Sequence, residues 1–103
     1  MQYFHRNLIE KLLGTFEAPV HPIPITSGTR RDGNPSINYN LVGQILSESK
    51  RGVIFSAGTS SHAGELSQFL RRQGLHCEIQ TLNPRDRICR KTKFYIGVEA
   101  AAA

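Results

Sequence analysis

Phe4, Leu8, Ile9, Leu12 and Leu13 recur at helical spacing, with Arg6, Glu10 and Lys11 elsewhere on the wheel. The spacing predicts a short amphipathic helix over 4–13, stopped by Gly14. Pro19, Pro22 and Pro24 then rule out a helix and remove ladder donors. This stretch should be extended, with an edge strand at Ile23–Ile25. Thr26–Ser36 is rich in turn residues throughout and reads as one long loop carrying Arg30 and Arg31.

Between Asn38 and Ser49 two periods compete. Leu41, Val42, Ile45 and Leu46 fit a helical face capped by Asn38 or Asn40, whereas Ile37, Tyr39 and Leu41 alternate as a strand would. Helix is the reading adopted. Val53–Ser56 reads as a buried strand, and Gly58, Thr59, Ser60 and Ser61 break it and offer helix caps. A helix over about Ser61–Gln73 turns Ala63, Leu66, Phe69 and Leu70 inward and ends at Gly74. Leu75–Leu82 alternates as a strand, with Leu75, Cys77 and Ile79 on its inner face. Strand, helix and strand within about 30 residues make a βαβ unit, its parallel pair starting at Val53 and Leu75. A last strand, Ile88–Val98, returns as a hairpin. Phe94, Ile96 and Val98 share one face; Cys89, Lys91, Lys93 and Tyr95 share the other. Cys77 thus faces the core and Cys89 faces out, which argues against a bridge between them.

The pattern predicts an α/β fold, with α+β as the variant. It is a single small domain over 1–99, with two or three helices on a three- to four-stranded mixed sheet containing one βαβ unit. Residues 100–103, all alanine, read as a vector-derived or disordered tail. At 103 residues the chain suffices for one core and not for two domains. Its apolar clusters are strand-sized, and no apolar run follows a basic N-terminus. A soluble, cytoplasmic protein with no membrane association is expected, and its two cysteines fit neither a disulfide scaffold nor a zinc pattern.

Charge narrows the partners. Thirteen Lys and Arg against eight Asp and Glu leave a formal net charge of +5. That sign favours nucleic acid, a phosphate-bearing ligand or an acidic protein surface. The basic tract Arg85, Arg87, Arg90, Lys91 and Lys93, with Tyr95 beside it, could follow a nucleic-acid backbone while the ring stacks on a base. The same lysines would equally guard a strand edge against aggregation. Arg30 and Arg31 could engage phosphates or carboxylates bidentately from their loop. Arg71 and Arg72, near a helix end, are accounted for by the helix dipole.

A second feature is the loop Ser56-Ala57-Gly58-Thr59-Ser60-Ser61-His62, between a strand end and a helix start. Unpaired helix amides, the glycine and the hydroxyls of Ser56, Thr59, Ser60 and Ser61 suit a phosphate, sulfate or carboxylate, and capping of the helix accounts for the hydroxyls equally well. The loop has neither the P-loop lysine pattern nor the full dinucleotide fingerprint. Its Gly58, Thr59, Ser60 and His62 resemble the phosphosugar loop of sugar isomerase domains. The resemblance runs only over Val53–Leu82, and those larger domains carry strands not found here. It implies phosphosugar binding at the loop, and no family is assigned on it.

No catalytic residue is assigned. His62 is the best placed of the four histidines, but its carboxylate partner, Glu65 or Glu78, is a nomination only. No metal and no cofactor are expected, because no two histidines stand at ligand spacing. The ranking that results puts a binding or regulatory module for an anionic macromolecule first, with nucleic acid favoured. A protein–protein inhibitor or accessory subunit is the alternative, and a phospho-ligand binder or small enzyme using Ser56–His62 comes third.

Overall fold

Leu8, Ile9 and Leu12 form the buried stripe of the first helix, α1 (Leu8–Gly14), in a computed structural model that describes residues 8–83, 85 and 91–99. The expected helix is present from Leu8 onward; its first residues lie outside the described ones. β1 (Val20–Pro22), β2 (Ile25–Thr29) and β3 (Pro35–Ile37) follow, then α2 (Tyr39–Glu48), β4 (Gly52–Ala57), α3 (Ser60–Arg72), β5 (Cys77–Thr81) and β6 (Phe94–Glu99). The ambiguous middle segment is a helix. Asn38 caps it, its side-chain oxygen accepting the Leu41 amide at 3.2 Å.

Four strands form a mixed sheet in the order β1-β4-β6-β5, and β2 and β3 form a separate two-stranded sheet. One face of the main sheet carries Val53, Phe55, Ile96 and Val98 against Val42 of α2 and Ala63, Leu66 and Leu70 of α3. The other carries Ile54 and Tyr95 against Leu8, Ile9 and Leu12 of α1. The result is three layers on a mixed sheet, the α+β variant of the fold that the hydrophobic pattern implied.

Burial on both faces explains the strand order. In β4 residues 52–55 are buried without interruption, and in β6 residues 95–98 are. Strands of this kind belong in the middle of a sheet. β5 is exposed along most of its length and takes an edge. β4 and β5 therefore run parallel, as expected, but they are not neighbours: β6 lies between them, antiparallel to both. The hydrogen-bonded parallel pair is β1 with β4, with α2 in the connection between them.

Three finer expectations are corrected. The strand that joins the sheet is Val20–Pro22 rather than Ile23–Ile25. It occupies an edge, where the missing proline N–H groups face no second partner. The long loop is a hairpin, β2 with β3, closed by Arg30 N–H to the Asn34 carbonyl at 2.7 Å and Gly33 N–H to the Arg30 carbonyl at 3.0 Å. Its strands are mostly polar and lack the alternation that would have revealed them. Ile79 is 41% exposed instead of core-facing, because helix cover gives out at the β5 edge. Cys77 is buried, as expected; Cys89 lies outside the described residues.

Candidate functional site

The carboxyl ends of β1, β4 and β5 lie at one end of the sheet, because β1 is parallel to β4, and both β4 and β5 are antiparallel to β6. The connection from β5 to β6 crosses this same end, where α3 also begins. Topology thus brings together two features that are distant in sequence: the Ser56–His62 loop and the Lys91 and Lys93 end of the basic tract.

Their junction is tight. Lys93 N–H donates to the Ala57 carbonyl at 2.9 Å, and the Lys93 carbonyl accepts from Leu82 N–H at 2.9 Å. The Lys91 carbonyl packs so closely on Gly58 that an added Cβ would lie 2.7 Å from its oxygen. A cleft of 310 Å³ opens beside the junction, with Ser56, Gly58, His62, Lys91 and Thr92 in its polar lining and Ile23 and Ile25 in its apolar wall.

Arg85, Lys91, Lys93 and Arg31 are exposed and have no ion-pair partner among the described residues; Arg87 and Arg90 lie outside these. Tyr95 departs from the sequence reading. It is 6% exposed and packs beneath α1 with Ile54 and Leu82, and burial raises its phenol pKa. The strand face expected to be open is covered by α1, so this ring has no free surface for a base.

Arg30 also has a different environment from that of a free cation in a long loop. Its guanidinium meets Asp32 at 2.7 Å, Glu65 at 3.0 Å and the Ser61 hydroxyl at 2.7 Å, leaving the side chain 13% exposed. Ser61 in turn donates to Asp32 at 2.9 Å. The Asn34 amide and the Ser61 hydroxyl hold the Asp32 carboxyl down to about 2. This network ties the hairpin turn to the first turn of α3, and in it Asp32 and Glu65 share the Arg30 guanidinium. Glu65 also serves Tyr39, whose phenol is pushed up to about 12 by burial and by that carboxylate.

One amide of the first turn of α3 is capped from within. Thr59 Oγ1 accepts the His62 amide at 3.1 Å, Ser61 is taken by Arg30 and Asp32, and Ser60 is exposed. His62 Nε2 lies 2.8 Å from the Pro35 carbonyl. A carbonyl only accepts, so Nε2 carries the proton. Neither nominated carboxylate orients the ring, since Glu65 pairs with Arg30 and Glu78 accepts the Leu8 amide at 2.6 Å. The nucleophile–base–orienter geometry of an acid–base site is not assembled around His62.

Comparison with protein-family models, curated proteins and solved structures finds no match for this chain. The likeness to a phosphosugar loop therefore rests on the Gly58–Thr59–Ser60–His62 pattern alone.

A larger cavity of 480 Å³ sits at the opposite end of the sheet. Phe16, Ile45, Lys50 and Arg51 contribute to its walls, and Glu48 offsets their charge. Among the described residues no three His, Cys, Asp or Glu side chains converge as a metal site would require, and no helix is long and apolar enough to cross a membrane. Sequence reasoning overlooked Asp32, Glu65 and Pro35 as the groups that fix the loop. The Asp32-Gly33-Asn34 turn signal was visible, but the docking of this hairpin on residues 27 to 35 positions later was not.

Proposed function

We propose that this chain is a non-catalytic cytoplasmic binding module that holds an anionic macromolecule, nucleic acid first, by its phosphates. The surface is the cationic end of the sheet, with Arg85, Lys91, Lys93 and Arg31 as contacts and Arg87 and Arg90 contributing from the same stretch of sequence. One observation carries this reading: Asp32 and Glu65 both pair with Arg30, while the exposed Arg31, Arg85, Lys91 and Lys93 have no acidic partner among the described residues. Such a surface attracts polyanions over roughly a Debye length, about 8 Å at physiological salt.

With Tyr95 buried, base stacking drops out of the mechanism. What is left is phosphate neutralisation, which is indifferent to sequence and steeply salt-dependent. Each phosphate engaged should add about −0.9 to the slope of log affinity against log salt on duplex DNA. An acidic protein surface would use the same cations, without the slope that counterion release from a nucleic acid produces.

Fluorescence anisotropy with labelled single- and double-stranded DNA and RNA, at low and moderate salt, tests the proposal. Binding to several unrelated sequences that weakens steeply with salt is the expected result. Absence of binding to all of them at low salt overturns it and leaves a protein partner.

The 310 Å³ cleft favours a second reading, a phosphate-bearing small ligand. Its volume is near the lower end of small-molecule sites, about 300 Å³. Lys91 would be the countercharge, and Ser56, Thr92 and His62 would orient the ligand. Shifts of the Gly58 and Thr92 amide resonances on titration with a nucleoside monophosphate would support this reading, and unchanged spectra would dismiss it.

A further inference from the structure

The two edges of the main sheet are built differently. β1 is guarded: Pro22 lies within it and Pro19 directly precedes it. β5 contains neither proline nor lysine, and its pairing with β6 runs without a bulge from Cys77↔Val98 to Thr81↔Phe94. Unguarded edges of this kind template further strand pairing.

The register shows which groups face outward. Leu82 N–H bonds to the Lys93 carbonyl, and Glu99 N–H bonds to the His76 carbonyl. Even-numbered residues of this segment therefore direct their N–H and C=O groups at β6. Alternation then turns those of Cys77, Ile79 and Thr81 to the outer edge, where no further strand pairs among the described residues. Ile79 is also among the exposed large apolar side chains, at 41%.

We propose that β5 is the interface of a twofold dimer, pairing antiparallel with β5 of a second copy about Ile79. In this register Ile79 meets its own symmetry mate, which covers the exposed side chain, and Cys77 pairs with Thr81. The outward groups of all three then find partners. Glu78 falls opposite Gln80, so no like charges oppose each other across the seam. The strand is complementary to itself, as an isologous interface requires, and pairing through β5 alone closes at two copies because β1 is blocked. None of Arg31, Arg85, Lys91 and Lys93 lies in β5 itself.

Sedimentation equilibrium of the full chain from micromolar to millimolar concentration, with hydrogen exchange of the Ile79 amide, tests the interface. The mass should rise from 11.5 kDa to twice that value, and exchange at Ile79 should slow in step. Ile79→Lys should abolish the dimer. Thr81→Pro removes an outward N–H that bonds to nothing in its own sheet, so the chain should stay folded by circular dichroism while dimerisation weakens about tenfold. A chain that stays monomeric at millimolar concentration overturns the proposal. So does a dimer that neither substitution weakens, and so does one that forms without slowing exchange at Ile79.

Discussion

Gly58 and Lys91 touch backbone to backbone: a Cβ on Gly58 would stand 2.7 Å from the Lys91 carbonyl oxygen. A methyl group cannot be accommodated by rotating a side chain, because the obstacle is main chain. Gly58→Ala should therefore push the strand entering β6 away from the α3 loop and cost about 1–3 kcal/mol in urea denaturation. It should also move Lys91 and weaken polyanion binding by more than its exposed neighbour Ser60→Ala does. Equal binding by the two variants would detach the loop from the cationic surface.

Reversing charge at Lys91 and Lys93 separates binding from folding. Both side chains are exposed, so Lys91→Glu with Lys93→Glu should leave the melting temperature within a few degrees of the parent. Nucleic-acid affinity should fall at low salt, and its salt slope should become shallower by about 2, roughly one unit per lost phosphate contact. Anisotropy titrations at several salt concentrations measure both quantities.

Tyr95 discriminates between stacking and packing. Because the ring is buried beneath α1, Tyr95→Phe should leave nucleic-acid affinity unchanged, and Tyr95→Ala should destabilise the domain by about 3–5 kcal/mol. Loss of affinity in a folded Tyr95→Phe protein would restore the ring to the binding surface.

Gly97 should be equally intolerant, for a reason that lies on the other face of the sheet. A Cβ there would come within 2.6 Å of Ile9 Cγ1 and 3.4 Å of Leu12 Cδ1, so α1 would have to lift. Gly97→Ala should cost about 1–3 kcal/mol by denaturant titration. Ile9→Ala, which removes the obstructing Cγ1, should make Gly97→Ala cost less in the double variant than in the parent.

Asp32 makes a pH prediction with a definite sign. Its carboxyl is held at about 2, against an ordinary 3.8. A depressed carboxylate contributes stability that is fully present above the ordinary value and is lost as pH falls through the folded one. Stability should therefore fall between about pH 4 and pH 2. Asp32→Asn should flatten that limb, and in the parent the hairpin amides should lose exchange protection over the same interval.

The sequence by itself determined the elements whose signal is local. The helical spacing of Leu8, Ile9 and Leu12, the break at Gly58 and the stop at Gly74 depend on neighbours a few residues away, and each is where the pattern put it; the cap at Asn38 is one of the two the pattern offered. Cys77 inside, and Arg85, Lys91 and Lys93 outside, were legible for the same reason. Tertiary structure decided whatever depends on which faces are covered. Period-two alternation assigns residues to faces but does not say whether one face or two will be buried. Once α1 packs on the far side of β6, Tyr95 becomes core, and once β6 enters between β4 and β5, Ile79 is left at an edge. The fate of Arg30 was set in the same way: a cation in a turn looks free until the chain brings Ser61 and Glu65 to it from more than thirty residues away.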